Sequence, residues 1–310
     1  MPSLTMAPRS RPATDPPAAA RPGRAAAWRP LVWMGMRWQV PRDWEILGHA
    51  VDPLRGRLML ADRRRQRMQL SWARLDRRPD LEQAIADHRS RDMAADEAAQ
   101  MSELLRPHGW VGYTRWADRG ALSRFTRYEP ELAYWIDLVV SHPVSHDPAL
   151  DEALAAGFEA LDPQQPPHWR AFGLDVRTPL GWRLTKAHVN VADVTLRFAE
   201  ADGPAEAAVR RLGMIDAWFL GDVQQWLRHT IGVMVDTEFT TVRHGGVSAC
   251  LALGLEPGTR WRRLNGRLRL RRYLAWVCEP ARSLVCVTTW SRPSRPVEPG
   301  DFEVDAWPTR

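Results

Sequence analysis

Apolar and polar positions alternate through most of the chain, and that alternation predicts strands more often than helices. Met36-Arg37-Trp38-Gln39-Val40 and Leu174-Asp175-Val176-Arg177-Thr178 both have the period of a half-buried strand. Each runs into a proline, two turn-compatible residues and a tryptophan, as Pro41-Arg42-Asp43-Trp44 and Pro179-Leu180-Gly181-Trp182. The same kinds of element then follow in the same order. An apolar strand over 57–60 stands where 194–198 stands, and after a polar turn 68–72 stands where 207–211 stands. Two helical segments, 80–88 and 222–229, each open on an aspartate able to cap the first turn. Farther on, Tyr128-Glu129-Pro130-Glu131 leads into an apolar strand over 132–140, and Cys278-Glu279-Pro280-Ala281 into another over 284–290. The pattern predicts an α+β protein of two similar α/β sandwich domains with mainly antiparallel sheets, arising from an internal duplication.

A chain of 310 residues suits two ordinary domains. Residues 1–29 are rich in Pro, Ala and Arg without apolar periodicity, and read as a disordered leader. Its apolar runs are too short for a signal peptide, and Met6 would serve as a start as well as Met1. The first domain is expected over 30–162, with a second helix or helix extension over 92–105. A hairpin of 110–116 with 121–126 and a short amphipathic helix over 149–161 complete it. Asp162-Pro163-Gln164-Gln165-Pro166-Pro167 is the clearest linker, which puts the boundary at 163–168. The second domain, 169–291, is expected to have a helix-rich middle over 205–234 and strands over 239–244, 247–253, 267–277 and 284–290. Trp218-Phe219 and Trp226 fall on one predicted helix whose broad apolar face suits the seam between the domains. Residues 292–310 read as a polar coil tail holding Trp307.

The Pro41-to-Trp44 and Pro179-to-Trp182 turns, with the order of elements behind them, make residues 33–290 similar to the PsbP-like α/β sandwich. That resemblance implies two such domains in tandem and a non-catalytic binding or assembly role, since proteins of that class mostly dock on larger partners. It brings no catalytic residue with it.

Charge changes the picture only when it is divided along the chain. The whole carries a net +6, but residues 30–168 hold 18 arginines against 21 acids, while 169–310 hold 20 basic residues against 15 acids. Lys186 is the sole lysine, so arginine is this chain's default cation and a single arginine says little. Three cysteines, Cys250, Cys278 and Cys286, with no CxxC pair, exclude a disulfide framework and predict apolar filler in a reducing cytoplasm. No apolar run approaches the roughly 18 residues of a membrane span.

Candidate chemistry is sparse. His142-Pro143-Val144-Ser145-His146-Asp147 places two imidazoles and a carboxylate within six residues, a conceivable metal clip, yet Pro143 forbids a ligating helix and solvated loop histidines explain it more simply. Arg243-His244-Gly245-Gly246 fits a hairpin turn, and no nucleophile elbow, phosphate-binding loop or dinucleotide fingerprint occurs. No catalytic, metal or cofactor-binding residue is assigned. Arg260 to Arg272 is the one biased stretch, seven arginines in thirteen residues without an acid. Its alternation predicts a strand with Arg267, Arg269 and Arg271 on one face, and Trp261 and Arg263 beside them. These five residues are the predicted partner-binding set, against the simpler reading of a solvated sheet face. The acidic first domain, a second copy in a homodimer or an acidic partner protein could each oppose them. The sequence therefore predicts a cytoplasmic, non-catalytic protein-binding or assembly factor, with a nucleic-acid-binding accessory as the alternative.

Overall fold

The structure, a computed structural model, describes residues 27–96, 99–117, 120–231, 235–256 and 269–308. Backbone pairing follows the alternation closely. The first half runs β1 (Trp28–Trp33), β2 (Met36–Pro41), β3 (Glu45–His49), β4 (Arg55–Ala61), β5 (Gln66–Arg74), α1 (Leu81–Ala95) and β6 (Gln100–Met101). It continues with β7 (Val111–Ala117), β8 (Gly120–Glu129), β9 (Tyr134–His142), α2 (Pro148–Ala156) and β10 (Glu159–Ala160). The second half runs β11 (His168–Ala171), β12 (Leu174–Arg177), β13 (Trp182–Val189), β14 (Asp193–Glu200), β15 (Glu206–Leu212), α3 (Ile215–Trp218) and α4 (Val223–Ile231). Then come β16 (Val235–His244), β17 (Val247–Leu255), β18 (Leu270–Cys278), β19 (Ser283–Ser291) and β20 (Glu303–Ala306).

Two seven-stranded sheets have the orders β3-β4-β5-β9-β8-β7-β6 and β13-β14-β15-β19-β18-β17-β16, so the two orders correspond strand for strand. A third sheet of six strands, β10-β2-β1-β11-β12-β20, joins the halves. The opening hairpin of each half stands outside the seven-stranded sheet of that half and pairs with the other's. Every named pairing is antiparallel.

Local geometry repeats with the order of elements. The β1–β2 turn holds Met34 and Gly35 at φ 51 and 76, and the β11–β12 turn holds Phe172 and Gly173 at φ 54 and 79. Left-handed backbone at both central positions marks the tight hairpin turn whose twist matches its strands. Trp44 follows Gly35 by nine positions, as Trp182 follows Gly173, and both tryptophans are buried. On that spacing Leu47 corresponds to Thr185, and the ladder shifts register at both, between Ile46 and Gly48 and between Leu184 and Lys186. Val32 corresponds to Arg170, and these two residues pair across the central seam. His49 corresponds to Ala187, and the His49 ring hydrogen-bonds the Ala187 backbone. Each half thus meets the other through the same positions, as around a twofold axis.

Several expected elements are corrected. The helix over 92–105 stops at Ala95, and β6 and the Leu105–Gly112 bridge take up that segment as sheet edge. The helix-rich middle over 205–234 begins instead as β15, since a strand hydrogen-bonded on both sides between β14 and β19 outweighs the helix propensity of Ala207 and Ala208. Trp218 and Trp226 lie on separate short helices, and α4 packs Leu227 and Ile231 on Cys250, Ala252 and Tyr273 of its own sheet, away from the seam. The tail is not coil: β20 pairs with β12, Phe302 is fully buried, and Trp307 carries Arg170 over its ring at 5.0 Å. The leader ends sooner than expected, because β1 begins at Trp28; residues 1–26 lie outside the described residues. The two proline turns differ by one residue in phase, for Ala133 and Arg282 hold the left-handed position closing each β-hairpin.

One apolar cluster runs through both halves, from Leu31, Trp33 and Trp38 to Trp169, Phe198 and Phe302. All three cysteines are free, and burial pushes the Cys286 thiol up to about 12, consistent with filler. Gly35→Ala tests the turn, because its φ of 76 is left-handed and a Cβ would sit 3.2 Å from Leu132 Cδ2. It should cost about 1–2 kcal/mol in urea unfolding, whereas Gly300→Ala, which faces open space, should leave the midpoint in place.

Candidate functional site

Of the predicted partner-binding residues, Trp261, Arg263 and Arg267 lie outside the described residues. Arg269 and Arg271 are placed at the start of β18, where carboxylates of the second half oppose them. Arg269 Nη2 donates to Glu206 at 3.3 Å, and Arg271 Nη2 to Glu256 at 2.6 Å. Arg271 also lies over the Trp290 ring, 5.4 Å from its centroid. The acids that face Arg269 and Arg271 therefore come from their own half, not from the first one.

The histidine stretch forms a buried network rather than a solvated loop. His142 is 2% exposed, and the carboxylate joining it is Asp151 of α2; Asp147 instead caps α2 through Leu150 N–H. The Asp147 amide donates to His142 Nδ1 at 3.3 Å, which fixes the ring proton on Nε2. That Nε2–H faces Asp151 Oδ1 at 3.1 Å, while His146 Nε2 and the Ser123 hydroxyl donate to Oδ2 at 2.8 and 2.6 Å. Ser123 is fully buried with its hydroxyl held by Asp151, so it presents no accessible nucleophile. One ligand atom from each of His142, His146 and Asp151 lies within 4.8 Å of the others, but with the Asp147 amide on His142 Nδ1 an ion at Nε2 would need the opposite tautomer of that ring. The network acts as a latch for α2. Ser123 stands opposite Val140, two residues before β9 ends, and Arg272 stands opposite Thr289, two before β19 ends. There Arg272 forms an ion pair with Glu298, holding the matching segment of the second half.

A second polar group fixes α1. Tyr113 donates to Asp92 at 2.6 Å, and Arg124 donates to His88 Nδ1 at 2.8 Å. Burial, then the Arg124 charge, pushes His88 below the usual imidazole range, while burial raises Asp137. These groups hold a helix to a sheet and present no nucleophile.

The remaining feature is a cleft of about 890 Å³ at the seam, between the edge strand β3 and the end of β13. Arg29, Arg42, Arg170 and Arg211 line it, against the single carboxylate of Glu45. Trp28, Trp44, Phe172 and Trp307 supply aromatic walls. Arg29 Nη2 donates to the Trp44 carbonyl at 2.6 Å; burial first, and the Arg170 charge also, lowers its pKa, while Glu45 raises it. Arg170 Nη1 donates to Asp175 at 2.9 Å. Burial tends to raise Asp175, but the His168 hydrogen bond and the cations around it hold the carboxyl below its usual range. Burial lowers Arg211, which is 4% exposed. The recess therefore concentrates guanidinium groups in a partly desolvated setting, where a carboxylate or phosphate gains most from them.

The corresponding positions across the axis are apolar. Pro167 stands for Arg29, Leu180 for Arg42 and Val32 for Arg170. By register Trp72 stands for Arg211, and its indole is buried with Nε1–H donating to the Asp52 carbonyl. Exposed apolar residues rim the cationic side: Leu47 is 64% exposed and Val191 96%. The Gly213 amide donates to Ala192 O at 2.7 Å, and Trp218 Nε1 donates to Gly213 O at 2.9 Å. Leu220 is 94% exposed.

No family model and no curated protein matches this chain. Among solved structures it is similar to the immunity protein TplEi of the T6SS from Pseudomonas aeruginosa. Complexed with an "L" peptide, that protein aligns with TM-score 0.34 and 12% identity over 88% of this chain and 90% of its own. Its apo form aligns with TM-score 0.36 and 12% identity over 87% and 89%. A likeness of that size leaves the site to be argued from its own geometry.

Sequence reasoning missed the cleft because its arginines are single residues in three strands and a turn. The usable signal was the difference between the halves, Arg against Pro, Leu or Val at matched positions. The latch offers a direct test of the chemistry assigned to His142. Asp151→Ala strands three donors and should cost about 3 kcal/mol or more in urea unfolding, while Val144→Ala, on a side chain 86% exposed, should cost nothing measurable. Added zinc should leave the melting temperature unchanged; a zinc-dependent rise would mean that the three side chains hold an ion.

Proposed function

We propose that this protein is a non-catalytic binding factor for another protein, and that the cleft between its halves is the recognition surface. The reading includes an internal duplication, with two α/β sandwich units of the PsbP-like kind whose seam has become the site. The observation that carries it is the one-sided cleft: four arginines and four aromatic side chains at the seam, with exposed leucine and valine at the rim. Arginine and tryptophan together are the residues on which protein interfaces concentrate their energy. A nucleic-acid groove would need basic residues spread along a track of phosphates. Here the described ladder residues Arg269 and Arg271 face carboxylates, and the cleft arginines converge on one recess.

Reconstitution tests this directly. A partner captured on the wild-type protein, purified and recombined, should form a stable complex that Arg42→Glu with Leu47→Asp weakens by about a hundredfold or more. Both side chains are exposed, so the fold should survive the change. Binding of labelled oligonucleotide that falls steeply with salt, with no protein complex, would overturn the reading in favour of the nucleic-acid alternative.

A further inference from the structure

Strand β16 is an open edge of a kind the rest of the molecule avoids. A sheet edge offers unpaired backbone amides and carbonyls, and folds ordinarily shorten it, bulge it or set lysine or proline on it. Three of the six edges here are short: β6 and β10 have two residues each and β20 has four. β3 and β13 shift register at a bulge, and β13 carries the chain's sole lysine, Lys186. β16 has ten residues, no proline and no lysine, and among the described residues no strand adjoins its outer side. Its own register shift falls at its start, so Glu238 to His244 pairs with β17 without interruption.

Backbone geometry fixes which groups face outward. Gly245 and Gly246 close the β16–β17 hairpin at φ 55 and 84, so the flanking pair His244–Val247 exchanges both of its hydrogen bonds. Alternation then leaves the amides and carbonyls of Phe239, Thr241 and Arg243 pointing away from β17. These lie evenly about Thr241, the middle of the uninterrupted stretch. An antiparallel second copy with Thr241 opposite itself satisfies all of them, because Phe239 then meets Arg243 at either side. The side chains agree with that register. Exposed Glu238 falls opposite His244 of the second copy, a carboxylate facing a ring that can donate to it and that rests on Trp276 with centroids 4.6 Å apart. Thr240 falls opposite Val242, two side chains suited to a sheet. Twofold symmetry repeats each pair. Arg228 already covers the Phe239 ring at 4.9 Å, so the charge complementarity rests on the two Glu238–His244 pairs. Helix α4 packs on Cys250, Ala252 and Tyr273 of β17 and β18, behind the edge, so its two copies would stand about four strand spacings apart, roughly 19 Å, and would not collide. We propose that β16 pairs with β16 of a second copy of this chain, antiparallel about Thr241, joining two seven-stranded sheets into one. β13, which reaches the cleft at Val189, is the opposite edge of the same sheet, so each copy keeps its cleft open and the pairing does not depend on what the cleft binds.

Sedimentation velocity of the full chain over a concentration series tests the association. The wild type should pass from monomer to dimer as concentration rises. Thr241→Pro should stay monomeric while keeping its circular dichroism spectrum, since the amide it removes is one that β17 does not use. Glu238→Lys, on an exposed side chain, should weaken the dimer about tenfold by setting like charge or lost hydrogen bonds at both symmetric pairs. Disulfide trapping reads the register. A residue opposite its own copy in such a hydrogen-bonded pair has Cα atoms about 5.5 Å apart, within disulfide reach. Thr241→Cys should therefore give a covalent dimer on mild oxidation, whereas Thr240→Cys and the wild type should not. A wild type that is monomeric at every concentration, or a dimer that survives both Thr241→Pro and Glu238→Lys, would overturn the proposal. Trapping at Thr240→Cys in place of Thr241→Cys would overturn the register and the Glu238–His244 pairing with it.

Discussion

Everything distinctive in this molecule depends on the pairing of β1 with β11. The contact is narrow, with Val32 set against Arg170, but it joins the opening hairpins of both halves into one six-stranded sheet. Side chains then weld the seam. Trp33, His49 and Phe172 form a mutual set of edge-to-face contacts with centroids 5.1 to 5.8 Å apart, drawing two members from the first half and one from the second. Burial pushes His49 below the usual imidazole range, so the ring is neutral at neutral pH and suited to this apolar setting. A seam built this way cannot open without exposing core. The cleft beside it is accordingly fixed in shape rather than a hinge gap.

The seam also explains how so much positive charge is tolerated. Bringing guanidinium groups out of water is costly, and Arg29 and Arg170 further repel each other. The fold offsets this with local acceptors: the Trp44 carbonyl for Arg29, and Asp175 for Arg170, whose other face stacks on Trp307. Trp307 reaches that place because β20 adds to β12 and its amide donates to Gly173 O. Trp307 is therefore part of the site, although it lies 137 positions beyond the arginine it covers. Hydrogen bonds to carbonyls and stacked rings hold the arginines in position without neutralising all of them, which is what an anion-binding recess requires.

Much of the architecture was legible because strands buried on one face write their period into the sequence, as 36–40 and 174–178 do. Helix starts were legible too, since Asp80 and Asp222 each accept a first-turn amide, from Gln83 and Gln225, both at 3.0 Å. Failures fell where tertiary pairing overrides local preference. β15 is rich in alanine and reads as helix until it is placed between two neighbours, and β20 is too short to show a period. The third sheet could not be read at all, for the β1–β11 pairing is non-local and has no compositional mark. At the site the same limit applied in reverse: a dense arginine run drew notice, while its described arginines Arg269, Arg271 and Arg272 are matched by nearby glutamates. The arginines that converge are scattered from position 29 to 211.

The asymmetry of the seam constrains what the cleft is for. On the duplication proposed above, an axis through the Val32–Arg170 pair would generate two equivalent recesses, suited to two identical ligands or to symmetric self-association. The two sides of that axis instead differ. One side keeps proline, leucine, valine and a buried tryptophan, and the other carries four arginines at the matching places. A solvated surface in an arginine-rich chain would drift without regard to side or depth. These four residues line one recess, where Arg29 is partly desolvated beside the Arg170 charge. Such a pattern favours a single, dissimilar occupant for each chain over a second copy of the protein.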